Sequence, residues 1–304
     1  VATPNLNRLA SEGAQHTNAY TVNPLCMPAR CSLLTGLYSH QHGIMNNRGD
    51  LDPKTPTMTE ELQKLGYYTA LIGKEHFFEG FIDLTAAEPY SKKHFGFDYM
   101  WPVAGKSMVA GLYDYPDYSD DAWTYYLQEQ GLLETYRNDV MERMEKRRNG
   151  LCEASPSPLP QEHHVDYRIY RESVSFLKTY AEDKPFFLWT SFCGPHFPFD
   201  PQSHYLYKYD HREIPVPPGC PEHQIEHYQK YIAAYSAMVE EIDAYIGDIL
   251  DTLEQKGLRE NTLIIFSSDH GDMMGDFGLF AKSFPFEGSV HVPFIASCPD
   301  IVTP

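Results

Sequence analysis

The pattern that most limits the fold of this chain is an alternation of amphipathic helix patterns with short, continuous apolar runs. The clearest helix pattern covers residues 227–255, where apolar side chains recur at steps of three and four and share one face. Residues 262–266 follow as an apolar run, which is typical of a strand buried on both faces. Residues 67–72 and 186–189 are similar runs, each next to a shorter helix pattern. The alternation predicts an α/β fold with a mostly parallel central sheet flanked by helices on both faces.

The composition places the chain among ordinary globular proteins. Apolar residues make up 42% of its 304 residues, and no apolar run is long enough to span a bilayer. The formal charge of −18 argues against a nucleic acid as partner, because proteins that bind nucleic acids carry a basic face. An anionic small substrate stays open, because salt screens the charge over about 10 Å. Six cysteines without a CxxC pair argue against a structural zinc site.

Residues 88–160 interrupt the alternation. This stretch is rich in tyrosine and acidic residues, and it ends in a Ser/Pro segment at residues 155–160. We expect one catalytic core over residues 1–304, within which residues 88–160 form an irregular insertion with one or two helices. The aromatic side chains would contact a substrate, cover the sheet or make a subunit contact. His163 and His164, next to the Ser/Pro segment, are expected to be exposed.

Polar side chains follow three of the apolar runs, at the point where each strand would end. Lys74 and His76 follow the first run, His196 follows the second, and Asp269 and His270 follow the third. Ligands of open parallel sheets bind beyond the carboxyl ends of the strands, so these residues are expected to share one site. A cation, several imidazoles and an acid together suit a metal ion and an anionic group.

A short helix is predicted upstream of these residues, with Pro28 at its beginning and Gly36 at its end. Cys26 would then lie at the helix N-terminus, where free backbone N–H groups favour an anion and lower the pKa of a thiol. Arg30 lies near the first turn, and its planar guanidinium suits an oxyanion.

Cys26-x-Pro28-x-Arg30, with Leu34-Thr35-Gly36 after it, resembles the signature of the type I sulfatases in the alkaline phosphatase superfamily. Four further blocks resemble other elements of that family in the expected order along the chain. They are residues 3–13, Gly73-Lys74-Glu75-His76, Gly194-Pro195-His196 with Pro198-Phe199, and residues 268–276 with Lys282 and 292–294. The resemblance covers most of the chain and implies the fold and the chemistry of the family.

In that family a maturation enzyme converts the motif cysteine, here Cys26, to formylglycine, whose hydrate carries two geminal hydroxyls. One hydroxyl attacks the sulfur of a sulfate ester and releases the alcohol. The second hydroxyl loses its proton, and the aldehyde re-forms as sulfate leaves. A divalent cation, with Ca²⁺ as the favoured ion, would lower the pKa of the nucleophile and neutralise sulfate oxygens.

The resemblance also implies a role for each site residue. Arg30 would support the nucleophile, and Asp269 and His270 would bind the metal together with Cys26. The side chains that would surround the sulfate and stabilise charge in the transition state are Lys74, His76, His196 and Lys282. Either His196 or Lys282 would protonate the leaving oxygen.

Two features depart from the family pattern. The family normally begins with a strand that ends in an Asp-Asp pair of metal ligands, and no such strand precedes Thr3. The sequence also stops soon after residues 292–294. We therefore expect this sequence to be part of a longer chain, with an incomplete metal site.

Three functions stay open on the sequence alone. The leading hypothesis is hydrolysis of a small-molecule or glycan sulfate ester. The alternatives are a phosphate or phosphonate monoester hydrolase of the same superfamily and a catalytically inert binding homologue. The sequence leaves the oligomeric state open, and also the compartment, whether periplasmic, secreted or cytoplasmic. The leading hypothesis requires Cys26 to lie beside Asp269, His196 and Lys282.

Overall fold

The computed structural model describes residues 1–78, 95–109, 121–148, 154–299 and 301–302. Within them the strands are β1 (Ala14–Gln15), β2 (Tyr68–Lys74), β3 (Tyr99–Val103), β4 (Phe186–Ser191), β5 (Ile264–Ser267) and β6 (Phe294–Ser297). The α-helices are α1 (Pro4–Ser11), α2 (Cys26–Thr35), α3 (Ser39–His42), α4 (Met58–Lys64), α5 (Lys106–Val109), α6 (Ala122–Glu129), α7 (Leu133–Arg148), α8 (Val165–Thr179), α9 (Ser203–Leu206), α10 (Ile225–Gln255) and α11 (Glu287–Val290). Short 3-10 helices occupy Gln161–His163, Tyr207–Tyr209, Glu222–Gln224, Arg259–Asn261 and Asp276–Gly278.

Strand β2 is the centre of a parallel sheet with the order β3-β2-β4. Ile72 of β2 packs in one apolar cluster with Val165 and Ile169 of α8. Leu71, which points to the opposite face, packs in another cluster with Met27 of α2. Helices therefore cover both faces of this sheet, and the predicted α/β class with a parallel sheet is confirmed.

Gly73 lets the carboxyl end of β2 lie close to β4. Its φ is +109°, and a Cβ at this position would lie 2.0 Å from the carbonyl oxygen of Ser191. A side chain here would push the two strands apart at the end that carries Lys74. The close packing of β2 against β4 therefore requires a glycine at position 73.

The apolar run at residues 262–266 forms β5, but β5 lies in a second sheet in the described part of the chain. It pairs antiparallel with β6, which pairs antiparallel with β1. Ile265 is 57% exposed, so the prediction of a strand buried on both faces is wrong here. An apolar run does not reveal how many neighbours a strand has, and β5 is an edge strand of the sheet described here.

The stretch 88–160 contributes more to the core than its sequence predicted. It contains β3, which pairs in parallel with β2, and its described helices are α5, α6 and α7, where one or two were expected. Trp123 and Tyr136 are fully buried and pack in one cluster with Val165 and Ile169. Aromatic side chains of this stretch therefore cover the sheet, which was one of the three alternatives. The boundary of the insertion stays a prediction, because three segments lie outside the described residues: 88–94, 110–120 and 149–153.

Local sequence rules account for the ends of other helices. The side chain of Thr57 accepts the backbone N–H of Glu60, and the side chain of Glu60 accepts that of Thr57, so the two form a capping box at the start of α4. The helix predicted over residues 227–255 is α10, which begins at Ile225. Among the described residues, no helix has both the length and the apolar character needed to cross a membrane.

A group of buried charges, which we call the structural charge cluster, consists of Lys106, Asp200 and His164. Nζ of Lys106 donates to Oδ1 of Asp200 at 2.7 Å and to the carbonyl oxygen of Pro198 at 2.8 Å. Nε2 of His164 lies 3.6 Å from Oδ2 of Asp200. Burial is the largest influence and opposes the charged imidazole, but Asp200, Glu241 and Asp166 together raise the pKa of His164. His164 is 1% exposed, so the expectation that it lies at the surface is wrong.

Candidate active site

Helix α2 presents Cys26 in its first turn. The helix begins at Cys26 itself. Pro28 is therefore its third residue, whereas the sequence predicted that Pro28 would be the first. It ends at Gly36, whose φ of +71° is the left-handed conformation common at helix ends. Oδ1 of Asn47 accepts the backbone N–H of Met27 at 3.0 Å and satisfies one free donor of the first turn.

The ends of the strands bring the other predicted residues to the same place. Arg30 lies in α2 and Lys74 ends β2, and the rest come from the segments that follow β2, β4 and β5. A cavity of about 160 Å³ opens beside them, and the predicted residues that line it are Cys26, Lys74, His76, His196 and Lys282. The remaining three, Arg30, Asp269 and His270, contact Cys26 or one another. The structure thus brings together all eight residues that the sequence singled out.

Cys26 lies among cationic and imidazole groups. Its Sγ is 3.2 Å from Nε2 of His270 and 3.7 Å from Nζ of Lys74. Burial by itself raises the pKa of the thiol, but the nearby charges, first among them the ammonium groups of Lys74 and Lys282, lower it well below the usual value. The site therefore favours negative charge at residue 26.

Arg30 connects Asp269 to the ends of the two parallel strands. Its Nε donates to Oδ2 of Asp269 at 2.9 Å. Its Nη1 donates to the carbonyl oxygen of Lys74 at 2.7 Å and to Oγ of Ser191 at 2.9 Å. Burial is the largest influence and opposes the charge on Asp269, but Arg30, His270 and Lys74 together lower the pKa of this carboxyl to about 2. Asp269 is therefore ionised at neutral pH.

The hydrogen bonds of His196 determine which of its nitrogens carries the proton. Nδ1 lies 2.7 Å from the carbonyl oxygen of Phe197, which can only accept, so Nδ1 carries the hydrogen. Nε2 lies 2.8 Å from Nζ of Lys282 and therefore accepts from the ammonium group. Burial and the charge of Lys282 lower the pKa of His196 to about 4, so the ring is neutral at neutral pH.

The donor set around Cys26 fits a divalent metal ion. Nδ1 of His270 lies 2.8 Å from the carbonyl oxygen of Gly271, which leaves the lone pair of Nε2 facing Cys26. Three ligand atoms, one from each of Cys26, Asp269 and His270, lie within 4.8 Å of one another. With a thiolate, this set suits a borderline ion such as Zn²⁺, whereas an oxygen at residue 26 would suit a harder ion.

The ammonium groups of Lys74 and Lys282 have no carboxylate at ion-pair distance in the described residues. The nearest polar partner of Lys74 is Sγ of Cys26, and that of Lys282 is the neutral ring of His196. Lys74 is buried, and a buried ammonium group is normally paired with an anion. In the described residues, the cavity therefore carries positive charge without a carboxylate in direct contact with it.

Four residues at the site had no role in the sequence analysis. Asn47, Lys106 and Ser107 line the cavity, and Ser191 accepts a hydrogen bond from Arg30. Ser191 ends β4, so its place after an apolar run was a usable signal. The other three belong to none of the recognised blocks, and only the fold brings them here.

A parallel sheet whose strand ends meet a helix that begins at Cys26, with lysine and histidine side chains around that residue, defines an α/β protein with a site suited to an anionic ligand. A solved phosphonate monoester hydrolase from Silicibacter pomeroyi has this fold, with a TM-score of 0.77 and 21% identity over 99% of this chain and 64% of that one. The chain belongs to the sulfatase family, because the family model described as Sulfatase matches residues 1–304.

Two curated relatives carry sulfatase names. An arylsulfatase from Clostridium perfringens is 31% identical over 97% of this chain and 63% of the relative. A choline-sulfatase from Rhizobium meliloti is 30% identical over 98% of this chain and 58% of the relative. The chain thus spans 58% to 63% of the length of these two proteins.

Proposed function

We propose that the full-length protein hydrolyses a sulfate ester to an alcohol and sulfate. The observation that carries this proposal is the convergence of Lys74 and Lys282 on the surroundings of Cys26, without a carboxylate partner for either in the described residues. The anionic sulfate group of a small molecule or a glycan would supply the missing negative charge. The names of the arylsulfatase and choline-sulfatase relatives support the same class of substrate.

Cys26 is, in this proposal, the precursor of a formylglycine made by a maturation enzyme. In the hydrate, one hydroxyl would lose its proton as its oxygen forms a bond to sulfur, while the bond from sulfur to the ester oxygen breaks. The second hydroxyl then loses its proton, and the aldehyde re-forms as its carbon releases the sulfate oxygen. A serine at this position would lack the second hydroxyl and would remain sulfated. The cations around Cys26 support this role, because they would stabilise an oxyanion there.

We assign the proton donor of the leaving oxygen to Lys282, and not to His196. The one hydrogen of the neutral His196 ring is committed to the carbonyl oxygen of Phe197, and its other nitrogen accepts from Lys282. A ring in this tautomer has no proton to give on the side of Lys282. His196 therefore orients the ammonium group, which donates to the departing oxygen.

Asp269, His270 and the modified side chain of residue 26 would hold a divalent cation. When bound, this ion supplies positive charge that neutralises sulfate oxygens and lowers the pKa of the nucleophile. Arg30 keeps Asp269 ionised and fixes its position. Ca²⁺ stays our favoured ion, because the modification replaces sulfur by oxygen, the ligand atom that hard cations prefer.

A phosphate or phosphonate monoester is the second candidate substrate. The phosphonate monoester hydrolase from Silicibacter pomeroyi shares the fold, and both ester classes present an anionic tetrahedral group to the same cations. The test is the ratio of kcat/KM values of the full-length protein for an aryl sulfate and the matching aryl phosphate. We expect the sulfate to be the better substrate, and a clear preference for the phosphate would overturn the proposal.

A further inference from the structure

Glu75 lies between two predicted site residues and faces away from solvent. It is 3% exposed, and its Oε2 accepts the backbone N–H of His76 at 2.6 Å. The backbone N–H of Phe77 also donates to this carboxylate. A carboxylate that accepts two consecutive backbone N–H groups fixes the path of the chain directly after β2.

The turn that Glu75 holds is one that side chains seldom adopt. His76 has a φ of +58°, in the left-handed region that is uncommon for residues other than glycine. This backbone directs the imidazole of His76 into the lining of the cavity. Nδ1 of His76 is buried and has no hydrogen-bond partner in the described residues, so no bond at this nitrogen orients the ring.

We infer that Glu75 is a positioning residue of the active site, whose ionised carboxylate holds His76 in the left-handed turn that aims its imidazole at the substrate. This inference rests on the proposed function, because it assigns Glu75 to the same site. Glu75 acts through the backbone of His76 and does not contact the substrate. It is the third residue of the block Gly73-Lys74-Glu75-His76.

The surroundings of Glu75 make its charge sensitive to pH. The titratable and charged groups around it are its chain neighbours Lys74 and His76, Arg30 and Cys31 of α2, and Asp121 at the N-cap of α6. Burial is the largest influence and raises the pKa of Glu75 to about 7, although the two N–H donors and Arg30 act in the opposite direction. Protonation would weaken the bonds to the turn, so activity should fall as the pH falls through this range.

The first test is a double-mutant cycle on turnover by the full-length protein. Glu75→Ala should lower kcat by about 10²-fold, because a misplaced catalytic group costs rate out of proportion to its displacement. If Glu75 acts through His76, the double variant Glu75→Ala/His76→Ala should be no slower than His76→Ala alone. Independent, multiplying losses would overturn the inference.

The second test separates a positioning role from a merely structural one. Glu75→Gln keeps the shape and one acceptor oxygen but removes the charge, so it should retain more activity than Glu75→Ala and lack the inflection of kcat near pH 7. The matched control is Glu241→Gln, since Glu241 is also buried and accepts a backbone N–H, from Gln202, but does not line the cavity. Loss of the inflection in both variants, or in neither, would overturn the inference.

A third readout does not depend on the reaction. In ¹⁵N spectra of the histidine rings, assigned with His76→Ala, the signals of His76 should shift near pH 7 in the wild type but not in Glu75→Gln. If the protein proves not to hydrolyse sulfate esters, this readout still tests whether Glu75 controls His76. Ring signals of His76 that are the same in the wild type and in Glu75→Ala would contradict the inference while leaving the proposed function intact.

Discussion

The structural charge cluster and the candidate active site both contain lysine side chains, and they differ in how the lysine charge is balanced. In the structural charge cluster, the ammonium of Lys106 donates to Asp200 and to a carbonyl oxygen, and both side chains are wholly inaccessible to solvent. In the active site, Lys74 and Lys282 face a thiol and a neutral imidazole. Lys106 also lines the cavity of the candidate active site, so the two groups of residues are adjacent.

The difference separates the charges that hold the fold from those that are held ready for a ligand. A buried ammonium loses hydration that only a well-placed anion can replace. For Lys106 the protein provides that anion, whereas in the described residues no carboxylate lies at ion-pair distance from Lys74. We conclude that the active site is arranged to receive negative charge from outside the protein, and substitutions in the two groups should therefore have opposite effects.

The largest effect is expected from Cys26→Ala, which removes the precursor of the nucleophile. Turnover of an aryl sulfate should fall by on the order of 10⁴-fold or more, because no other group can form the bond to sulfur. Cys31→Ala is the matched control, since Cys31 is buried in the same helix and burial raises the pKa of its thiol to about 12. It should lower stability and leave turnover in place. Equal turnover of Cys26→Ala and the wild type would refute the assignment.

Lys106→Met should have the largest effect on folding. It leaves Asp200 buried without its ammonium partner, so the free energy of unfolding should fall by about 3–5 kcal/mol. Chemical denaturation measures this change. Lys64→Met, at an exposed pair with Glu61, should change the free energy of unfolding by less than about 1 kcal/mol. A similar loss in both variants would remove the distinction between paired and surface lysines.

Lys282→Met should show the reverse pattern. The value of kcat should fall by about 10²- to 10³-fold, because the proposed proton donor is lost. The free energy of unfolding should stay the same or rise, because no buried carboxylate loses a partner. Steady-state kinetics and chemical denaturation of this one variant decide whether Lys282 serves the reaction or the fold. A strong loss of stability would show that Lys282 belongs with the structural lysines.

The smallest effect is a gain of stability from Glu75→Gln. Burial raises the folded-state pKa of Glu75 from an ordinary value of 4.5 to about 7, so ionising it costs folding free energy above that pH. The substitution should raise the free energy of unfolding by up to about 3 kcal/mol near pH 8, and by less near pH 5, where the wild-type carboxyl is mostly protonated in the folded state. Denaturation at both pH values checks the sign. A variant that is less stable at the higher pH would show that charged Glu75 stabilises the fold.

The sequence predicted those parts of the site that follow directly from the order of strands and polar residues along the chain. Lys74 and His196 follow apolar runs, and the carboxyl ends of parallel strands meet at one edge, so their proximity could be inferred. The roles of these residues came from the resemblance to the sulfatase family. They are still proposals.

The remainder of the fold depended on contacts between distant segments. Burial of His164 requires Asp200, which only the tertiary fold brings near. Strand β3 is an apolar run that contains Pro102, and a proline inside such a run argues against a strand in the middle of a sheet. The exposure of Ile265 depends on which strands pair with β5, and an apolar pattern does not contain that information.

The most direct measurement is the mass of the peptide that contains residue 26. It should be taken from the full-length protein, produced in a host that has the maturation machinery. We expect the mass of an aldehyde or its hydrate in place of the thiol, together with turnover of an aryl sulfate. An unmodified Cys26 in protein that still hydrolyses the ester would contradict the proposed nucleophile. An unmodified Cys26 in inactive protein would favour a binding homologue that keeps the pocket without the reaction.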